Sequence, residues 1–169
     1  MGAESLKKIV PCEVNQSIPG ILLLSHGDMA LGMLDSAQII CGELDNMAAI
    51  CIEPSDDLDE YKAVLLDTMG RFPAGVLVLV DLMSGTPFNT LMSIAGERRL
   101  YGIAGMNLPL LIEMAIMRDS KTLQEIAVAA EERIHASICD LGKLQEELVK
   151  ATQVECCALS PEEEGGMQD

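Results

Sequence analysis

Ile21-Leu22-Leu23-Leu24-Ser25-His26-Gly27 is an apolar run that ends in a histidine and then a glycine. A second run, Val76-Leu77-Val78-Leu79-Val80-Asp81, has no polar residue before its closing aspartate. Short uninterrupted apolar runs bounded by turn residues read as strands covered on both faces, the usual condition of a parallel sheet. Parallel neighbours place their carboxyl ends on one edge, where open α/β sheets seat their ligands. His26 and Asp81 are thereby expected to meet.

Working outward, residues 1–19 are polar, carry Pro11 and Pro19, and show no period, so they read as an extension before a domain at 20–140. The strand at 21–25 precedes a helical stripe of Ala30, Leu34, Ala37, Cys41 and Leu44. A strand at 47–52 leads to Ser55 as candidate N-cap, with four carboxylates in the following turn and a helix running to about Met69. After the strand at 75–80, Gly85-Thr86-Pro87 reads as a glycine turn, a threonine cap and a proline at the first helical position, opening a helix to about Ala95. A weaker strand, Tyr101–Met106, passes through Asn107 into a helix ending near Arg118. Thr122 and Glu125 form a capping box for a helix reaching about Ile138. Four strands alternating with helices predict an α/β fold, doubly wound, with a mainly parallel four-stranded sheet and helices on both faces. Residues 141–169 carry a short helical stripe, Leu144, Leu148 and Ala151, and then an acidic tail expected to be disordered from Ser160.

The totals bound the function. A chain of 169 residues with 49% hydrophobic content suits one domain. A formal net charge of -16 and no tryptophan argue against nucleic acid and anionic membrane as partners. That charge suits a basic protein partner, or serves solubility alone. The six cysteines show no zinc-ligand spacing, so they read as reduced; Cys41 and Cys51 fall within predicted elements, and Cys156-Cys157 sits in the polar tail. No segment has the form of a secretory signal or a membrane span, and the expected location is the cytoplasm.

A histidine between a strand end and a helix start stands beside open backbone N–H groups and the positive end of a helix dipole. Asp81 can hold one ring nitrogen and leave the lone pair of the other as a nucleophile. Thr86 and the amides around Gly27 and Gly85 can supply donors to an anion. These parts suit an imidazole that accepts a phosphoryl group, where positioning and charge stabilisation do most of the catalysis. Spacing alone also leaves open a structural histidine, a turn-capping aspartate and a Gly-Thr-Pro segment that only starts a helix. His135 lies in a charged helix and reads as solvated. Neither G-x-x-x-x-G-K-[ST] nor G-x-G-x-x-G after a strand occurs, so no cofactor or nucleotide cradle is visible, and the phosphoryl donor is expected to be another protein.

Three segments carry a family resemblance: L-S-H-G from Leu24, V-D-L-x-x-G-T-P-F-N from Val80, and G-x-N-L-P-L-L-I-E from Gly105. Over roughly residues 20–118 the chain resembles the IIA component of mannose-type sugar phosphotransferase systems. The resemblance implies a phosphotransferase of the EC 2.7.1 type in which His26 is phosphorylated by HPr and passes the group to a IIB component, with membrane IIC and IID components phosphorylating the sugar. It implies that Asp81 orients the imidazole, that Thr86 bonds the phosphoryl group, and that members form homodimers exchanging a C-terminal antiparallel strand. With Asp81 on Nδ1, phosphorylation is expected at Nε2. Ser84 stands where members commonly have a first glycine, which suggests a loop held further from the phosphoryl group.

Two other readings stay beside this one. A histidine phosphatase wants an arginine immediately before its histidine, where this chain has Ser25. A non-catalytic regulatory module would keep His26 phosphorylation as a switch and lose onward transfer.

Overall fold

A computed structural model describes residues 6–96, 99–136 and 138–158, the side chains of 152–158 excepted. The elements run β1 (Lys8–Ile9), β2 (Gly20–His26), α1 (Met29–Cys41), β3 (Met47–Ile52), α2 (Leu58–Gly70), β4 (Val76–Val80), α3 (Thr86–Ala95), β5 (Gly102–Ala104), α4 (Leu108–Met117), α5 (Leu123–Arg133) and α6 (Leu141–Ala158). They form an α/β fold whose five-stranded sheet has the order β1-β3-β2-β4-β5. β2, β3, β4 and β5 are parallel, and β1 pairs antiparallel with β3.

Side chains alternate across a strand, and here the alternation builds two cores. Ile21 and Leu23 pack with Leu34 of α1, Leu111 of α4 and Ile126 of α5. Leu22 and Leu24 pack with Tyr61 and Leu65 of α2 and Leu91 of α3. All four β2 side chains are fully buried, each burial being worth about 1.5–3 kcal/mol. The same parity sends Ser25 toward the α1 face and His26 toward the face that carries α3.

The chain crosses from β2 to β3 on one side and returns to β4 on the other side of β2. A crevice therefore opens between the carboxyl ends of β2 and β4, with Leu24 opposite Val80 as the last registered pair. At the far edge of the core, the buried Arg118 donates to the carbonyls of Asn46, Asp45 and Ala115. Burial lowers its pKa, and the bonded carbonyls satisfy the charge that would otherwise be stranded.

Several expectations change. The sheet has five strands; its antiparallel member comes from residues 8–9, within the stretch read as an extension, and Leu6 is buried in the second core. The helical stripe read at 141–152 is part of a helix over 141–158 that belongs to a unit of its own. α2 is capped by Asp57 instead of Ser55, because the Asp57 carboxylate accepts from the amides of Asp59 and Glu60. α5 ends at Arg133, five residues early, leaving His135 exposed in a turn. Cys156 and Cys157 belong to α6 by their backbone; the tail from Ser160 lies outside the described residues.

Candidate functional site

The β2–α1 turn carries His26 out of the sheet. Gly27 takes a left-handed φ of 52° and its amide donates to Ile52 O at 3.0 Å, which anchors the turn to β3. Buried Ser25 completes it: its Oγ accepts from the Ala30 amide of α1 at 2.8 Å and lies 3.3 Å from Gly27 O. Asp28, at the helix cap position, makes no capping bond.

From β4, Asp81 donates its amide to Leu24 O at 3.0 Å, which fixes it opposite the end of β2. Its carboxylate is engaged from three sides. Oδ2 accepts from the His26 amide at 2.8 Å and lies 2.8 Å from His26 Nδ1, while Oδ1 accepts from the Leu82 amide at 2.7 Å. The aspartate side chain is only 7% exposed and the imidazole 44%. An acceptor facing Nδ1 assigns the ring proton there, so the lone pair sits on Nε2.

The other side of the imidazole is backbone. A Cβ on Gly85 would stand 2.6 Å from His26 Cε1 and 3.3 Å from Nε2, so only glycine permits this approach. Gly85 is itself the N-cap of α3, correcting the expectation of Thr86 there; Thr86 is the first helical residue and Pro87 follows. No side chain caps this helix start. The Thr86 and Phe88 amides are thus left without a side-chain cap, Pro87 having none to satisfy, and the positive end of the helix dipole stands at this turn. Ser84 occupies a left-handed φ of 67°, which explains why a glycine suits the position. Its carbonyl accepts from Asn89 Nδ2 at 3.2 Å.

A cleft of about 670 Å³ opens over this arrangement, lined by His26, Gly27, Thr86, Glu53, Asp56 and Leu58 among others. Sequence reasoning brought His26, Asp81, Gly27, Gly85 and Thr86 forward, and the structure brings these five to one crevice. It passed over Ser25 as a turn-holding residue, and Glu53 and Asp56 as the carboxylates of the rim. Asp56 Oδ2 accepts from the Glu53 amide at 2.7 Å, so this loop shapes itself. Beneath lies Tyr61, whose hydroxyl is buried without a hydrogen-bond partner. Burial, reinforced by the charge of Asp81, pushes its phenol well above the ordinary range and keeps it neutral. Among the described residues no group of three His, Cys, Asp or Glu is placed to hold a metal, and no helix is long and apolar enough to cross a membrane.

At a reversal of the strand order, this α/β fold thus sets a half-exposed imidazole on a buried carboxylate, with the glycine cap of α3 against the far side of the ring. The family described as EIIA-man, PTS system fructose IIA component, matches residues 20–131, and the chain belongs to it. The chain is 31% identical over 111 residues to the PTS system fructose-specific EIIA component of Bacillus subtilis (strain 168), covering 63% of this chain and 75% of that protein. It is 32% identical over 149 residues to the PTS system mannose-specific EIIAB component of Escherichia coli (strain K12), spanning 83% of this chain and 42% of that longer protein. Among solved structures, the mannose/sorbose specific IIA subunit of the phosphotransferase system from Enterococcus faecalis superimposes with a TM-score of 0.64 at 33% identity, over 73% of this chain and 94% of that one.

Proposed function

We propose that this protein is a phosphohistidine carrier of a mannose-type phosphotransferase system, with His26 as the residue that holds the phosphoryl group. The observation that carries the reading is the 2.8 Å contact of Asp81 Oδ2 with Nδ1, which leaves Nε2 as the nucleophile beside the uncapped start of α3. HPr is the donor in this reading. The Nε2 lone pair attacks phosphorus, the P–N bond to the donor histidine breaks, and its electron pair returns to that ring. The Nδ1 proton stays in place, and Asp81 balances the positive charge that the phosphorylated imidazole acquires. The open amides of α3 and the Thr86 hydroxyl receive the phosphoryl oxygens. A IIB component then removes the group by the reverse chemistry and hands it to the sugar bound by membrane IIC and IID components.

The transfer is nearly isoenergetic between two phosphohistidines, so the protein must position and screen charge without trapping the group. A carboxylate on one nitrogen and neutral donors around the other meet that need. Homodimerisation and a cytoplasmic location belong to the same reading, the first being measurable by light scattering. The decisive test is intact-mass spectrometry under non-acidic conditions after incubation with phosphoenolpyruvate, the first phosphotransferase enzyme and HPr. One added phosphoryl group on the wild type and none on His26→Ala is the expected result; an unlabelled but folded wild type would sink the reading.

A further inference from the structure

The cleft over His26 is rimmed by negative charge. Glu53 and Asp56 line it, Asp81 lies under the imidazole, Asp28 sits two residues beyond His26, and no Lys or Arg is among the described lining residues. A phosphoryl group approaching Nε2 therefore enters a cleft lined by two carboxylates, with two more on the neighbouring turn and under the ring. Among the described residues one lysine pairs with two of these carboxylates, and it comes from the N-terminal segment ahead of the family match. Lys7 Nζ lies 2.9 Å from Asp28 Oδ1 and 3.2 Å from Glu53 Oε1, joining the β2–α1 turn that carries His26 to the β3–α2 loop whose Glu53 lines the cleft. Its main chain is pinned independently of its charge. Lys7 O accepts from the Cys51 amide at 2.9 Å, and Lys8 and Ile9 continue the pairing with β3.

We propose that Lys7 is a positioning residue for phosphoryl acceptance: its ammonium holds Asp28 and Glu53 together and screens both carboxylates from the anion arriving at His26. This rests on the carrier reading for its biological meaning, though the electrostatics do not. The two carboxylates raise the Lys7 pKa, so the charge is present at every working pH. Exposed ion pairs of this kind add little to folding, which leaves the pair's effect on an approaching anion as its main consequence. The register of β1 matters because a shift by one residue would turn Lys7 away from the rim.

The test compares full-length wild type with Lys7→Met, Lys7→Arg and Lys7→Met/Glu53→Gln. Initial phosphorylation rates are measured with HPr and with phosphoramidate, a small donor that docks on no protein surface. At low ionic strength Lys7→Met should be slower by about 3- to 10-fold with both donors, the gap closing near 0.5 M salt, roughly where the Debye length falls below 5 Å. Lys7→Arg should stay within about twofold of wild type, and the double variant should recover much of the loss. Melting temperatures should agree across the set. Inorganic phosphate, titrated against the Gly27 and Thr86 amide signals, reads the same effect with no transfer step, and Lys7→Met should bind it about 3- to 10-fold more weakly. If the wild type takes no phosphoryl group yet phosphate affinity still depends on Lys7, the carrier reading falls and this one stands. Unchanged phosphate affinity with unchanged rates overturns the proposal, as does a slowing seen with HPr alone, which would make Lys7 a docking contact.

Discussion

Two helices in this chain begin at a threonine, and they begin in opposite ways. α5 closes its own end: Thr122 Oγ1 accepts from the Glu125 amide, and the Glu125 carboxylate accepts from the Thr122 amide at 2.9 Å and from its hydroxyl at 2.7 Å. α3 has Thr86 inside the helix, Gly85 as its cap, and no side chain turned back on the amides. The place that corresponds to Glu125 holds Phe88, and the next residue, Asn89, donates its side-chain amide to Ser84 O. The closed end serves stability, and in the proposed function the open one is left for an anion at His26. The donors that a helix must satisfy somewhere are the donors that a phosphoryl group can use.

The comparison breaks most severely at Gly85. A methyl group there collides with the imidazole, so Gly85→Ala must move either the helix start or His26, and displacements near 1 Å cost about 100-fold in rate. Phosphorylation by HPr should fall by that order while the far-ultraviolet dichroism stays native. A variant that labels at the wild-type rate would show that the open end does not serve His26. Next in size is a crossed pair. Thr86→Val should slow phosphorylation by about 10-fold and leave the melting temperature alone, since the hydroxyl caps nothing. Thr122→Val should lower stability by about 1 kcal/mol in urea unfolding and leave phosphorylation alone. If both variants lose the same property, the two helix starts are not functionally distinct.

The contrast also shows what could be read in advance. The apolar runs at 21–25 and 75–80 settle strand identity, and parallel pairing brings His26 and Asp81 to one edge whatever the exact register. Thr86 reads as a cap because Thr-Pro opens many helices; Gly85 takes the role because the backbone there must touch the imidazole, a tertiary demand with no local signature. The capping box at Thr122 is legible since all its bonds lie within one turn. β1 is the reverse case, two residues whose strand character comes from pairing with Ile50 and Ala49. Lys7 reaches Asp28 and Glu53 only through that pairing, so neither composition nor period could announce it. Asp57 displaces Ser55 as cap of α2 because Asp56, beside it, already folds the loop onto Glu53.

Acid sharpens the comparison from the closed side. Backbone and side-chain bonds from Thr122 hold the Glu125 carboxyl below the ordinary glutamate range. A depressed folded pKa contributes stability that is present above the unfolded value, near about 4.3, and is lost as the pH falls through the folded value. The stability gap between wild type and Glu125→Ala should therefore be constant at neutral pH and shrink below about pH 4. A gap that persists into strong acid would mean that the capping box does not depend on the carboxylate charge.

The smallest effect belongs to Ser84. A serine at a φ of 67° pays a conformational cost that glycine avoids, yet its loop still delivers Gly85 against the imidazole. The loop thus reaches His26 despite the residue that departs from the family's glycine. Ser84→Gly should stabilise the fold by roughly 0.5–1 kcal/mol, offset in part by the greater freedom of the unfolded chain. Phosphorylation should change by less than about twofold, because Gly85, not residue 84, touches the ring. A large gain in rate with no gain in stability would instead show that the serine holds the open end of α3 away from its anion, and would make the loop, more than the helix start, the part that sets turnover.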